Sequence, residues 1–249
     1  MSIGLYQSAS SLAALERWQD AVTQNITSSQ VAGYKKRTVE FSVVDAGEVQ
    51  TSLRQKIGQG DGEHMYFPQA TYGINFQKGE VEPTRRDFDL ALQGDGFFEM
   101  QMSDGRRAYT RAGEMHLRPD RTLVTAQDQP VLSDSGNTIQ LLPKGGNIVI
   151  NTDGTIRQGD TPIGRLSVVK FADDKQLVPI SAGVFLPMNG VAPVPVDKPQ
   201  ILQGYLESSN VAPLREMVDL VNIARAYEAN QKLIQSHDQT TQKALDALG

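Results

Sequence analysis

The sequence contains no cysteine, which excludes a disulfide framework and any thiolate metal site. It also lacks a secretory signal: the first basic residue is Arg17, so no charged segment precedes an apolar one. No run approaches the roughly 20 apolar residues that span a bilayer. Basic residues are outnumbered, with a net charge of -5, which argues against a nucleic-acid partner because phosphate binding needs clustered Lys and Arg. The one dense basic group, Lys35-Lys36-Arg37, reads as a solvated helix end. The three histidines, His64, His116 and His237, are scattered at no metal-ligand spacing. "GQGDGE" (58–63) has the glycines of a phosphate loop without its Lys-Ser/Thr or preceding strand, and reads as a turn. Asp87 and Asp89 in "RRDFDL" lie two apart on an expected strand, but with Arg85 and Arg86 adjacent they read as a surface ion pair. "FADDK" (171–175) reads as a polar hairpin turn. No catalytic, cofactor or metal site emerges, and no small-molecule substrate is implied: the chain reads as a non-enzyme.

Glycine and proline are missing from both ends and crowd the middle. Neither occurs from Leu5 to Ala32 or from Leu214 to Leu248. The second stretch, if helical, is about 50 Å long at 1.5 Å per residue. Steps of three and four pick out Leu5, Leu12, Leu15, Val22 and Ile26 in the first stretch, with Ser8 and Gln19 between them. In the second they pick out Met217, Leu220, Ala224, Tyr227, Ile234, Leu245 and Leu248, interrupted by Gln231, Asp238 and Thr241. These narrow stripes are of the coiled-coil kind and predict that the two helices pair. Small residues (Ser8, Ala9, Ser10, Ser11, Ala13 and Ala14, then Ala226, Ala229 and Asn230) permit close approach of further helices. Gly33 is expected to stop the first helix. Asn210 or Ser209 is expected to cap the second, with Pro213 in its first turn and Glu216 and Asp219 suiting its dipole.

Between the ends the period changes to two. "FFEMQM" sets Phe98, Met100 and Met102 against Glu99 and Gln101, as in a half-buried strand, and Asp104-Gly105 turns it into "RRAYTRAGEM". Asp95-Gly96 and Asp153-Gly154 mark further turns, and "NIVINTDGTI" and "GRLSVVKF" read as further strands. The expected organisation is therefore α+β: a helix in 1–35, an extended connector in 36–75, an all-β domain inserted at 76–205, and a second helix in 206–249. The terminal helices are expected to pair as a coiled coil.

Three segments resemble the axial proteins of the bacterial flagellum, the rod and hook group. "NITSSQVAGYKKR" is similar to the N-terminal signature Asn-Leu-Ala-Asn-x-x-Thr-x-Gly-Phe-Lys, with Asn25, Ile26, Gly33, Tyr34 and Lys35 on its positions. Thr27, Ser28 and Val31 depart from it. "GEVEPTRRDFDLALQGDGFFEM" with "YTRAGEM" resembles the β-domain core, placing Gly94, Gly96, Phe97, Phe98, Tyr109, Thr110, Arg111 and Gly113. "GYLESSNVAPLREMVDLVNIARAYEANQKLI" is similar to the C-terminal signature, through Leu206, Glu207, Ser209, Asn210, Val211, Arg225, Ala226, Tyr227 and Glu228. The resemblance implies a structural subunit of the basal-body rod. The length, without a second β domain, favours a rod protein over the hook protein. "GRLSVVKFADDKQLVPISAGVF" resembles both proximal and distal rod proteins. The proximal is preferred slightly, since a distal protein is expected to carry a longer insertion in the connector, and residues 44–75 are of moderate length. The resemblance further implies paired helices lining an inner tube, an outer β layer, and location in the periplasm and cell-wall space. Export by the flagellar type III apparatus without a cleaved signal follows, with other copies and neighbouring rod and hook subunits as partners. A soluble export accessory, or a secreted β-domain enzyme with helical targeting ends, is the alternative.

Overall fold

A computed structural model describes residues 3–48, 64–143, 146–188 and 190–246. Helix α1 covers Ile3–Thr27 and helix α2 covers Pro213–Asp246, with strands between them. The chain divides into two compact units. A helical unit is drawn from Met1–Ile26, Arg37–Gly73 and Ala212–Gly249, and a β unit from Thr27–Lys36 and Ile74–Val211. The polypeptide thus passes between units four times. "GQGDGE" and the centre of the expected connector lie outside the described residues, as does Leu248.

In the helical unit, the described flanks of the expected connector are strands, Arg37–Glu48 and His64–Ile74, paired as a two-stranded sheet. Alternating β-branched and aromatic residues such as Val39, Phe41 and Val43 favour this over an irregular link. Helix α1 is tied to the pair by Ser10, which donates to the Pro68 carbonyl (2.7 Å), and Arg17, which donates to that of Ala70 (2.6 Å). Trp18 meets Phe41 edge to face at 5.7 Å. Ala14, Leu15, Ala21, Val22 and Asn25 form the buried stripe of α1. On α2 the buried line runs through Glu216 and Ile223, with Asp219, Ala226, Asn230 and Ile234 half-buried. That line falls one residue before the expected stripe, so Met217, Leu220, Ala224 and Tyr227 are exposed in the single chain.

The β unit is built on a six-stranded antiparallel sheet. Its spatial order is Leu177–Ser181, Val184–Pro187, Arg107–Thr110, Phe97–Gln101, Val168–Lys170 and Val194–Pro195. Asp104-Gly105 makes the expected turn between two of these strands. "FFEMQM" is not half-buried, however. Phe98 enters a core with Leu90, Leu123, Val131, Ile156 and Ile201. Phe97, pointing the other way, joins Tyr109, Phe171, Leu177 and Phe185 in a second core. Even Glu99 is buried, accepting from Ser167 Oγ (2.6 Å) and Arg107 Nη1 (3.0 Å). A central strand covered on both faces buries its polar positions too, which alternation alone does not reveal. The expected turn at "FADDK" is a short 3₁₀ helix, Asp174–Gln176, with Asp173 accepting from the Lys175 N–H (3.0 Å).

Phe98→Ala removes a side chain with no exposed surface. We expect a loss of ~3–5 kcal/mol in denaturant unfolding of the β unit, against less than ~0.5 kcal/mol for Val178→Ala on its exposed edge.

Candidate functional site

The three segments singled out in the sequence meet in the β unit. After α1 ends, Gly33 takes φ +66° and donates its N–H to the Glu207 carbonyl (2.7 Å). A Cβ on Gly33 would stand 2.3 Å from the Arg111 carbonyl carbon. Only glycine satisfies both the left-handed backbone and that approach. Gly113 is similarly confined, since a Cβ there would lie 1.5 Å from the Leu90 carbonyl oxygen. The strand Tyr205–Glu207 pairs antiparallel with Val81–Pro83, carrying Glu207 to the same place.

At the centre the Glu207 carboxylate faces two cations. Its Oε1 accepts from Lys35 Nζ (2.5 Å) and from the Gly79 N–H (3.0 Å). Its Oε2 lies 3.1 Å from Arg111 Nε, an ion pair without hydrogen-bond alignment. Arg111 Nη1 donates to the carbonyls of Gly94 (2.9 Å) and Gly96 (2.7 Å), and its guanidinium lies 6.0 Å from the Phe97 ring centre. Lys35 also donates to the Gln77 carbonyl (2.9 Å). Lys35, Arg111 and Glu207 are 2%, 4% and 1% exposed, so this is a buried cluster with one more positive than negative charge. Burial pushes the Lys35 pKa down against the opposing pull of Glu207. Because the folded pKa lies below the unfolded one, this group's contribution to stability rises with pH between those two values.

Lys35 therefore corrects the reading of Lys35-Lys36-Arg37 as a solvated helix end. Helix α1 has already stopped at Thr27, and Lys35 turns inward. Asn210 likewise ties these segments of the β unit together and does not cap the start of α2. Its Oδ1 accepts from the Lys36 N–H (2.7 Å), and its Nδ2 donates to the carbonyls of Asn75 and Gln77 (2.8 Å each). Ser209 Oγ accepts from the Val211 N–H (3.2 Å), while the N–H groups of Arg215 and Glu216 reach the Ala212 carbonyl.

The first signature residue does parallel work in the helical unit. The Asn25 carboxamide grips the backbone of Arg37 in both directions, accepting from its N–H and donating to its carbonyl (2.8 Å each). The same Nδ2 donates to Glu216 Oε2 at 3.0 Å, and both side chains are buried. Glu216 thus has a specific partner on α1 beyond any effect on the helix dipole. No single-sequence signal joins residues 191 apart, and the expected stripe of α2 passed beside Glu216 without including it.

The remaining expected residues are placed as follows. Phe97, Phe98 and Tyr109 fill the two cores, and Tyr34 and Val211 are buried. Thr110 Oγ1 donates to the Gly183 carbonyl (2.7 Å) and accepts from the Ala112 N–H (3.0 Å). Leu206 and Ala226 are half-buried, whereas Arg225, Tyr227 and Glu228 point outward from α2. On α1, Leu15 and Val22 are buried, Leu12 and Ile26 half-buried, and Leu5 belongs to the same helix; Leu245 lies on α2. Asp87 and Asp89 do not act as a pair. Asp89 is buried against Arg86 (2.7 Å), which also reaches Glu114 (3.1 Å), and Asp87 is exposed. His116 Nε2 lies 3.0 Å from Asp128 Oδ1 on the surface. Among the described residues, no group of His, Cys, Asp and Glu is placed to hold a metal, and no helix is long and apolar enough to cross a membrane.

Residues 202–247 match the family described as flagellar basal body rod FlgEFG protein C-terminal, and residues 91–158 match the flagellar hook protein FlgE/F/G D1 domain. The chain is 32% identical over 249 residues to the flagellar basal-body rod protein FlgF of Caulobacter vibrioides, covering 100% of this chain and 99% of the relative. It is 30% identical to FlgF of Salmonella typhimurium, covering 91% and 90% of the two chains. FlgG of Borreliella burgdorferi is 30% identical, covering 96% of each.

Glu207→Gln leaves Lys35 and Arg111 facing each other without a counter-charge. We expect a loss of ~3–5 kcal/mol in denaturant unfolding. Gly33→Ala, forced into a left-handed backbone against Arg111, is expected to cost at least ~1–3 kcal/mol in the same measurement.

Proposed function

We infer the role of this chain from one premise: it belongs to the flagellar basal-body rod protein family. It is a structural subunit of the basal-body rod, assembled with other rod and hook subunits. The finer reading is that it joins the shaft through its terminal helices, adding head to tail in a helical array that does not close on itself. One observation carries it. Helix α2 leaves most of its large apolar side chains outside: Leu214 is 80% exposed, and Met217, Val218, Val221 and Leu233 are at least half exposed. A run of this kind along one helix marks an interaction surface. We assign Met217, Leu220, Ala224 and Tyr227 to contacts with helices of neighbouring copies, and the stripe through Glu216 and Ile223 to the chain's own packing. Coiled-coil pairing of α1 and α2 is completed, on this reading, within the assembly, where the tube transmits torque and encloses the export path.

Location in the periplasm and cell-wall space, and delivery by the flagellar type III apparatus without a cleaved signal, belong to the same reading. Within the rod we favour the proximal segment, since the FlgF of Caulobacter vibrioides matches over the whole chain at a slightly higher identity than FlgG.

Leu220→Asp tests the reading, because its side chain is already exposed in the single chain. The purified variant is expected to unfold within ~0.5 kcal/mol of the parent. Cells carrying it should fail to swim, and their isolated basal bodies should lack the subunit. Normal incorporation would remove this face of α2 from the interface.

A further inference from the structure

Every acceptor that Lys35 serves has a second donor. The Gln77 carbonyl takes Lys35 Nζ and also Asn210 Nδ2 (2.8 Å). Glu207 Oε1 takes Lys35 Nζ and also the Gly79 N–H (3.0 Å), while Oε2 stays beside Arg111. The segment carrying Lys35 is held independently by its backbone. Gly33 N–H reaches the Glu207 carbonyl (2.7 Å), Lys36 N–H reaches Asn210 Oδ1 (2.7 Å), and the Lys36 carbonyl accepts from the Asn75 N–H (2.9 Å). Deleting the ammonium would therefore orphan no buried acceptor. It would also leave, of the three buried charges, one Arg111–Glu207 pair, with Asp95 and Asp174 acting on Arg111 from less buried positions. Removing water from an ammonium is costly, and deleting one buried charge is destabilising when it strands its partner, which is not the case here because Arg111 stays beside Glu207. By these measures an apolar residue at 35 would seat the segment more firmly than lysine does.

We propose that Lys35 is a release element: its buried, surplus positive charge offsets the backbone bonds of residues 33–36, so that this segment opens from the β unit and recloses without the cores unfolding. The cores have no part in that opening, because Phe98, Leu123 and Val131 are buried by one another. The local equilibrium is a sub-global one, set by a few hydrogen bonds, the burial of the Tyr34 side chain and one charge cluster. On the rod reading, which supplies the purpose and not the physics, a reversible hold lets the chain adjust the segment following α1 while neighbouring copies add.

The test is amide hydrogen exchange on the full, unassembled chain, comparing the parent with Lys35→Met. The Gly33 and Lys36 amides, both hydrogen-bonded, are expected to exchange roughly tenfold more slowly in the variant, with the amides of 98–100 unchanged. Exchange at Gly33 and Lys36 that is equal or faster would overturn the proposal, since Lys35 would then be a net clamp. Failure of Lys35→Met to fold would overturn it equally. Because nothing assembles in this experiment, its outcome is separate from that of the rod reading, which stands or falls on incorporation of Leu220→Asp.

Discussion

A single carboxylate organises the β unit. Glu207 accepts on one oxygen from Lys35 and Gly79 and holds Arg111 beside the other, while its own carbonyl receives Gly33. Through Arg111 the hold extends to the turn at Gly94 and Gly96, and through Lys35 and Asn210 to Gln77. Segments from near residues 33, 77, 95, 111 and 207 are thereby fixed against one another by one ionised group. A buried anion so placed cannot be left without a counter-charge cheaply, because the low-dielectric surroundings that strengthen its bonds also raise the cost of leaving a charge alone. The glycines in this region follow from the same crowding: backbone must lie against backbone for the charges to meet.

The two units differ in how their surface is spent. The β unit buries its large side chains in cores on both faces of the six-stranded sheet, and even Glu99 is enclosed with its partners. The helical unit buries small residues, Ala14, Ala21 and Ala70, with few large ones, and exposes Phe41, Val43, Leu214 and Val218. Small buried residues supply little apolar area for folding. Large exposed ones supply it for association. The proposed assembly through the terminal helices rests on this division of surface.

The Asn25 clamp shows how the same economy works with neutral groups. Its carboxamide pairs with the backbone of Arg37 as another peptide group would, and its spare donor reaches the Glu216 carboxylate. The start of the strand and the first turn of α2 are thus registered by one side chain. The departures from the family signature, at Thr27, Ser28 and Val31, leave this clamp intact, since none of the three supplies the carboxamide. Ser28 and Val31 still form a turn, the Val31 N–H bonding to the Ser28 carbonyl (3.0 Å).

The sequence by itself determined the two long helices, the change of period in the middle, the turns at Asp104-Gly105 and Asp153-Gly154, and the family. Each of these is local: periodicity, turn chemistry and motif spacing act over a few residues. It also located the residues of the charge cluster without their interaction, because Lys35 and Glu207 are separated by 172 positions. Charge next to charge in a sequence reads as solvent, which is why Lys35-Lys36-Arg37 gave no sign that its first member is buried. Tertiary structure alone decided that pairing, the burial of Glu99 on a strand covered from both sides, and which face of α2 the single chain keeps for itself. A one-residue shift on a helix turns a side chain by about 100°, and in the first turns of α2 Leu214, Met217, Val218, Leu220, Val221 and Ile223 offer apolar groups on several faces and do not choose between them. Asn25 and Glu216 make the choice, by a hydrogen bond that exists only once both helices are in place.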